Sequence, residues 1–260
     1  MKPFKRRVWA LIATAVVALP ACRSVLQGTG VSAAPLQPEI ATGFSAKPEV
    51  VLHKWAVASA NPFATQAGVD VLKAGGSAVD AAIAVQMVLG LVEPQSSGIG
   101  GGAFLLHSAG AHVQAFDGRE TAPAAATEDL LLGGDGKPLA FHAAVVGGRA
   151  VGTPGVLRML AQAHVQHGKL PWTQLFAPAI ALANTGFPVS PRLHAQLKAD
   201  PYLRADPTAR AYFYQANGEP HAVGHMLRNS ELAAVLQRIA TEGVQAFYSG
   251  EVAEAVVRKV

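Results

Sequence analysis

At 260 residues the chain is long enough for one large domain or two small ones. Half its residues are apolar and 15% are charged, which excludes a disordered chain and calls for a buried core. The formal net charge of +4 is local. Lys2, Lys5, Arg6 and Arg7 supply four of the 21 Lys and Arg, and the 17 that remain face 17 acids, so charge gives no case for a nucleic-acid partner.

Those four cations precede Val8–Ala21, an apolar run of about 14 residues, too short to span a bilayer comfortably. A basic start, a short apolar stretch and small residues after it read as an export signal over residues 1–22. Leu19-Pro20-Ala21-Cys22 resembles a bacterial lipobox, in which Cys22 is lipidated, although Pro20 is unusual there. An ordinary cleaved signal ending near Ala33 or Ala34 is the other reading. Cys22 is the only cysteine, so the body of the protein has neither a disulfide nor thiol catalysis.

Residues 23–50 mix Gly, Ser, Pro and Ala without periodicity and read as a tether, with the folded part over 51–260. Asn61-Pro62 is a helix start, and the helix Pro62–Lys73 stops at Gly75-Gly76. Ser77-Ala78-Val79-Asp80 is a capping box that opens a second helix, to about Leu91. After Asp80 that helix is uncharged, so burial on nearly all faces is expected. Ala103–His107 and His112–Asp117 read as strands joined at Ser108-Ala109-Gly110. Residues 124–140 read as loop with one helical turn. Thr153-Pro154 opens a helix that ends at Gly168, Trp172–Asn184 is a helix closed by Gly186, and Pro191–Lys198 is another. Asp200 to Gly224, with three prolines, reads as a lobe of loops, and Asn229 caps a helix to Glu242. Glu251–Val260 begins an amphipathic helix with no closing cap, so the chain reads as cut off there.

Gly98-Ile99-Gly100-Gly101-Gly102-Ala103 matches the dinucleotide pattern only formally, because that chemistry needs a strand before the glycines and a helix after. Taken alone, the glycines read as a tight packing corner beside a hairpin. No Lys-Ser or Lys-Thr follows them, which excludes a phosphate loop of the nucleotide-hydrolase kind. His164-x-x-His167 and His221-x-x-x-His225 lack acidic or sulfur partners at matching spacing, so no metal site is assigned. Arg119, just past a strand end, offers a planar fork suited to a carboxylate. Read alone, it is equally a surface arginine paired with Asp117 or Glu120.

Taken in order, Asn61-Pro62-Phe63-Ala64, Gly75 to Ala82, Glu93 to Gly102, Asp117-Gly118-Arg119-Glu120-Thr121-Ala122-Pro123 and Val151-Gly152-Thr153-Pro154-Gly155 resemble the γ-glutamyltranspeptidases. Gly168-Lys169-Leu170-Pro171-Trp172 and Ala183-Asn184-Thr185-Gly186-Phe187 continue the resemblance, which covers roughly residues 50 to 260. It implies an α+β fold, part of the four-layer αββα sandwich of N-terminal-nucleophile hydrolases, incomplete in this stretch. It also implies a precursor that cuts itself into large and small subunits, with the small subunit as partner and its new N-terminal threonine as nucleophile.

By the same resemblance Arg119 holds the α-carboxylate of the γ-glutamyl group, and Glu120 orients that arginine or the substrate amine. No catalytic residue maps onto this sequence, which has neither Thr-Thr nor Thr-His. The implied substrates are glutathione and other γ-glutamyl compounds, with water, amino acids or peptides as acceptors, no cofactor and no metal. The implied location is periplasmic or secreted, with a lipid anchor if Cys22 is modified. Two alternatives stand beside this reading: a cephalosporin or glutaryl acylase of the same superfamily, and a non-enzymatic exported lipoprotein that binds amino acids.

Overall fold

The computed structural model describes residues 49–260, so the expectations for the signal, for Cys22 and for nearly all of the tether lie outside the described residues. Helix α1, Pro62–Lys73, starts where Asn61 accepts the Phe63 N–H at 3.1 Å and Pro62 takes the first turn. Helix α2, Ala78–Val92, is opened by the reciprocal bonds of Ser77 and Asp80, at 3.1 and 2.8 Å. Only Ala78 on α2 is exposed, as its lack of charge requires. Gly68 lets α1 lie close on α2, since a Cβ there would sit 2.7 Å from a Val85 methyl.

Each end of α2 carries a buried carboxylate. Asp80 is fully buried, and its Oδ2 accepts not only from Ser77 but also from the Lys169 and Leu170 N–H groups, at 2.9 and 3.1 Å. Glu93, also buried, accepts from Asn61 Nδ2 at 2.9 Å, Gln95 Nε2 at 2.6 Å and Arg192 Nη1 at 2.8 Å. Asp80 Oδ1 accepts no hydrogen bond among the described residues and has His164 Nε2 3.6 Å away, so the donors converging on Oδ2 and on Glu93 are what make these buried carboxylates tolerable.

Strands β1, Ala103–Ala109, and β2, His112–Gly118, form an antiparallel hairpin in which Leu105 faces Phe116 and Ala103 faces Gly118. Phe116 is buried while Phe104 and Leu106 on the other face are exposed. A short helix α3, Phe141–Val145, and a 3-10 turn at Gly148–Ala150 follow. Within 124–140 the chain turns through the Leu130 N–H to Thr127 O and Leu132 N–H to Asp129 O bonds, at 3.1 and 2.9 Å, and a regular helix forms just after it, where Phe141–Val145 supplies Ala144 to the buried set.

Helix α4, Val156–His167, packs under the hairpin, and helix α5, Trp172–Thr185, runs against α2. Trp172 joins α5 to the next layer through its indole N–H, which donates to the Ile239 carbonyl at 3.1 Å. A two-residue strand β3, Phe187–Pro188, pairs with β4, Met226–Leu227. Between them lie helix α6, Pro191–Ala199, a 3-10 turn at Leu203–Ala205 and helix α7, Pro207–Phe213. The lobe read as loops therefore holds a helix: Asp206 accepts the Ala209 N–H at 2.9 Å ahead of Pro207, which makes this proline a helix starter rather than a breaker.

Helix α8, Ser230–Glu242, is capped by Asn229, a four-residue helix α9, Gln245–Tyr248, follows, and α10, Gly250–Lys259, ends the described chain. The class is α+β, as expected: helices enclose the core, and the described residues hold one hairpin and one two-residue strand pair. Among the described residues no helix is long and apolar enough to cross a membrane.

Asp80→Ala should cost roughly 3 kcal/mol or more, because it strips three N–H groups of their acceptor, one of them the reciprocal half of the capping box, while the Ser77 cap itself remains. Asp80→Asn, which retains an oxygen, should cost less. Urea midpoints test this, and an Ala variant as stable as the wild type would show that Asp80 is not a structural tie.

Candidate functional site around Arg119

Strand β2 ends at Gly118, and the next two residues are Arg119 and Glu120. The turn is set by Asp117, whose Oδ1 accepts the Arg119 N–H at 2.9 Å. Arg119 places Nη1 3.0 Å from Glu120 Oε2, with the arginine side chain 68% exposed and the glutamate 27%. The geometry is that of an ion pair without an aligned hydrogen bond, so Oε2 is buried and has no hydrogen-bond partner among the described residues. The arginine thus presents the rest of its fork outward while one arm is steadied by a neighbouring carboxylate.

The segment 118–121 is enclosed by glycines from two other stretches of sequence, and its own Gly118 lies close on a third. A Cβ on Gly102 would lie 2.5 Å from Glu120 Oε2 and 2.6 Å from the Gly118 carbonyl. One on Gly152 would lie 2.8 Å from the Glu120 Cβ, and one on Gly118 would lie 2.6 Å from the Met159 Cβ. A Cβ on Gly155 would run into the Gly118 carbonyl. Backbone takes the space that side chains would fill, and backbone hydrogen bonds use it. Thr121 and Thr153 exchange N–H···O bonds of 3.3 and 2.8 Å, while Gly155 and Val156 both donate to the Gly101 carbonyl, at 3.1 and 3.2 Å. Gly98–Gly102 runs from helix α2 into strand β1, the reverse of the order a dinucleotide loop needs. The tight packing expected of this run is found at Gly102, beside the hairpin, whereas a Cβ at Gly98 or Gly100 would meet nothing within 4 Å.

The histidine pairs separate in an instructive way. His164 Nε2 lies 2.9 Å from the Leu170 carbonyl, whereas His167 stacks on His107 at 3.8 Å and bonds Gln114 Oε1 at 2.8 Å. His221 and His225 do face each other, stacked at 3.9 Å, but across a turn rather than along a helix. Burial, with a smaller contribution from His225, holds the His221 pKa below its ordinary value. No group of three or more His, Cys, Asp or Glu able to hold a metal occurs among the described residues.

The sequence reading identified Arg119 and Glu120 but missed the walls. Gly152 to Gly155 reads in sequence as a strand-to-helix joint, and nothing local signals that Thr153 bonds Thr121 across 32 residues of chain.

A gamma-glutamyltranspeptidase family model matches residues 64–260. The chain is 41% identical over 202 residues to the glutathione hydrolase proenzyme of Bacillus subtilis (strain 168), covering 77% of this chain and 34% of the relative. Among solved structures, Helicobacter pylori gamma-glutamyltranspeptidase superposes with a TM-score of 0.76 at 32% identity, over 81% of this chain and 61% of that one. A cephalosporin acylase from Bacillus halodurans superposes less well, with a TM-score of 0.63 at 29% identity over 83% of this chain and 42% of that one. The chain thus spans about a third of the length of the Bacillus relative. It shares the fold of N-terminal-nucleophile hydrolases with these structures, and it belongs to the gamma-glutamyltranspeptidase family.

Proposed function

We propose that this chain supplies the substrate-carboxylate clamp of an enzyme that transfers γ-glutamyl groups from glutathione and related amides and hydrolyses them. The observation that carries this reading is the Arg119 fork, exposed at the end of β2 on a backbone segment walled in by glycines. A bidentate grip on the α-carboxylate at one end of the substrate fixes where the γ-carbonyl lies at the other, and orientation of that kind lowers the barrier to attack.

The attacking group in this reading is an N-terminal threonine hydroxyl, activated by its own α-amine, which is not among the residues of this sequence. Its oxygen adds to the γ-carbonyl, the amine leaves with a proton, and an ester to the enzyme remains. Water or an acceptor amine then takes the γ-glutamyl group and returns the hydroxyl. Family membership supports the threonine acyl-enzyme, and the better superposition on the transpeptidase favours it over the acylase. Glu120 acts on Arg119 rather than on substrate: its Oε2 is buried against the guanidinium and beside Gly102.

The export of the protein belongs to the same proposal. Four cations ahead of Val8–Ala21 form the signal, and Cys22 is its lipidation candidate. Labelling with a palmitate analogue should mark the wild type and not Cys22→Ala; an unlabelled wild type would leave an ordinary cleaved signal.

In the full product of the gene, Arg119→Ala should raise KM for a γ-glutamyl anilide roughly a hundredfold, and Arg119→Lys should recover only part of the loss. An unchanged KM in Arg119→Ala would remove the clamp from the mechanism. Gly102→Ala forces the new methyl against Glu120 and the Gly118 carbonyl. It should cost about 1–3 kcal/mol in urea unfolding and raise the same KM. Wild-type stability and KM in that variant would mean the notch is loose.

A further inference from the structure

The loop Gly152–Gly155 that walls in the Arg119 segment is held in turn by a residue far along the chain. Tyr248, the last residue of α9, reaches back so that its hydroxyl donates to the Pro154 carbonyl at 2.9 Å. The same oxygen accepts the Arg158 N–H at 3.4 Å, and the Arg158 guanidinium lies over the phenol ring, 4.8 Å from its centre. Pro154 and Arg158 stand four residues apart, the spacing of one helical N–H···O bond. The hydroxyl is therefore inserted where the first such bond of α4 would otherwise form.

Helix α4 begins at Val156, just beyond this bridge, and the Gly155 and Val156 N–H groups, first-turn donors without a partner inside the helix, grip the Gly101 carbonyl. Thr153 on the other side pairs with Thr121, and Gly152 lies against Glu120. Burial pushes the Tyr248 phenol above its usual range.

We propose that Tyr248 is a positioning residue for Arg119. Its hydroxyl, bridging Pro154 O and Arg158 N, sets the backbone 152–156 that clamps Arg119 and Glu120, and so fixes where the guanidinium meets the substrate carboxylate. This rests on the reading of Arg119 given above. The phenol touches neither substrate nor reacting atoms; it acts through two layers of backbone.

Steady-state kinetics on the full gene product test it with Tyr248→Phe, which keeps the ring on Arg158 and removes only the hydroxyl. KM for a γ-glutamyl anilide should rise roughly fivefold, with kcat within about twofold of the wild type. In an Arg119→Ala background the same substitution should have no further effect on kcat/KM, since the two act as one unit. A lowered melting temperature with an unchanged KM would make Tyr248 a stability residue only and overturn the proposal. So would an equal effect in both backgrounds. If Arg119→Ala alone leaves KM unchanged, the clamp reading falls and the positioning role with it. If Arg119→Ala raises KM and Tyr248→Phe does not, only the positioning role falls.

Discussion

Two buried carboxylates at the ends of one apolar helix hold the structure in register. Helix α2 has a nearly uninterrupted apolar surface, so hydrophobic burial alone would let it slide or rotate among its neighbours with little change in area. Asp80 and Glu93 remove that freedom, because a buried charge is bearable only when several donors converge on it. At one end three backbone N–H groups, two of them from the α4–α5 connection, meet Asp80 Oδ2. At the other, Asn61, Gln95 and Arg192 meet Glu93, which ties the start of α1 and the start of α6 to the end of α2. Polar specificity sits on apolar stability, and the helix ends become fixed points.

From the Glu93 end the chain passes directly into Gly98–Gly102 and the hairpin, so the register of α2 sets the position of the loop that walls in Arg119. The site is built from backbone. Glycines at 102, 118, 152 and 155 let three segments approach to distances that side chains forbid, and carbonyls and N–H groups then bond across the gap. Such an interlock has few rotatable parts. In the clamp proposed for Arg119, it presents a long, flexible arginine from a rigid base and leaves only the side chain's own torsions to be ordered when a carboxylate binds. The Glu120 carboxylate beside it reduces even that freedom.

The far part of the chain serves the same base. Tyr248 lies beyond α8, yet its hydroxyl ends at the loop that opens α4. Asp206, whose carboxyl is held below its usual range by Lys259 and by the N–H it caps, links α7 to the last helix across 53 residues. The Asp206–Lys259 pair joins two helices, α7 and α10, that have no buried residues of their own.

The sequence by itself determined the elements whose signals are local. Asn61-Pro62, the Ser77–Asp80 box and the Asn229 cap each define a helix start through a bond that spans two or three residues. Alternation and a turn at Gly110 defined the hairpin, and the strand end at Gly118 defined where Arg119 emerges. Ordered motifs also carried the family. Where prolines punctuate the chain, as between Asp200 and Gly224, the local rule is ambiguous, because Pro207 after an Asp cap starts a helix as readily as it ends one. Only the tertiary structure decided that Asp80 bonds residues 169 and 170, that Glu93 gathers Asn61 and Arg192, that Thr121 pairs with Thr153, and that Tyr248 replaces a helical bond at Pro154. These partners are brought together by packing and leave no periodicity or spacing behind. The sequence shows glycines at 102, 152 and 155 but not what they approach; packing alone decides that the neighbours are Glu120 and the Gly118 carbonyl.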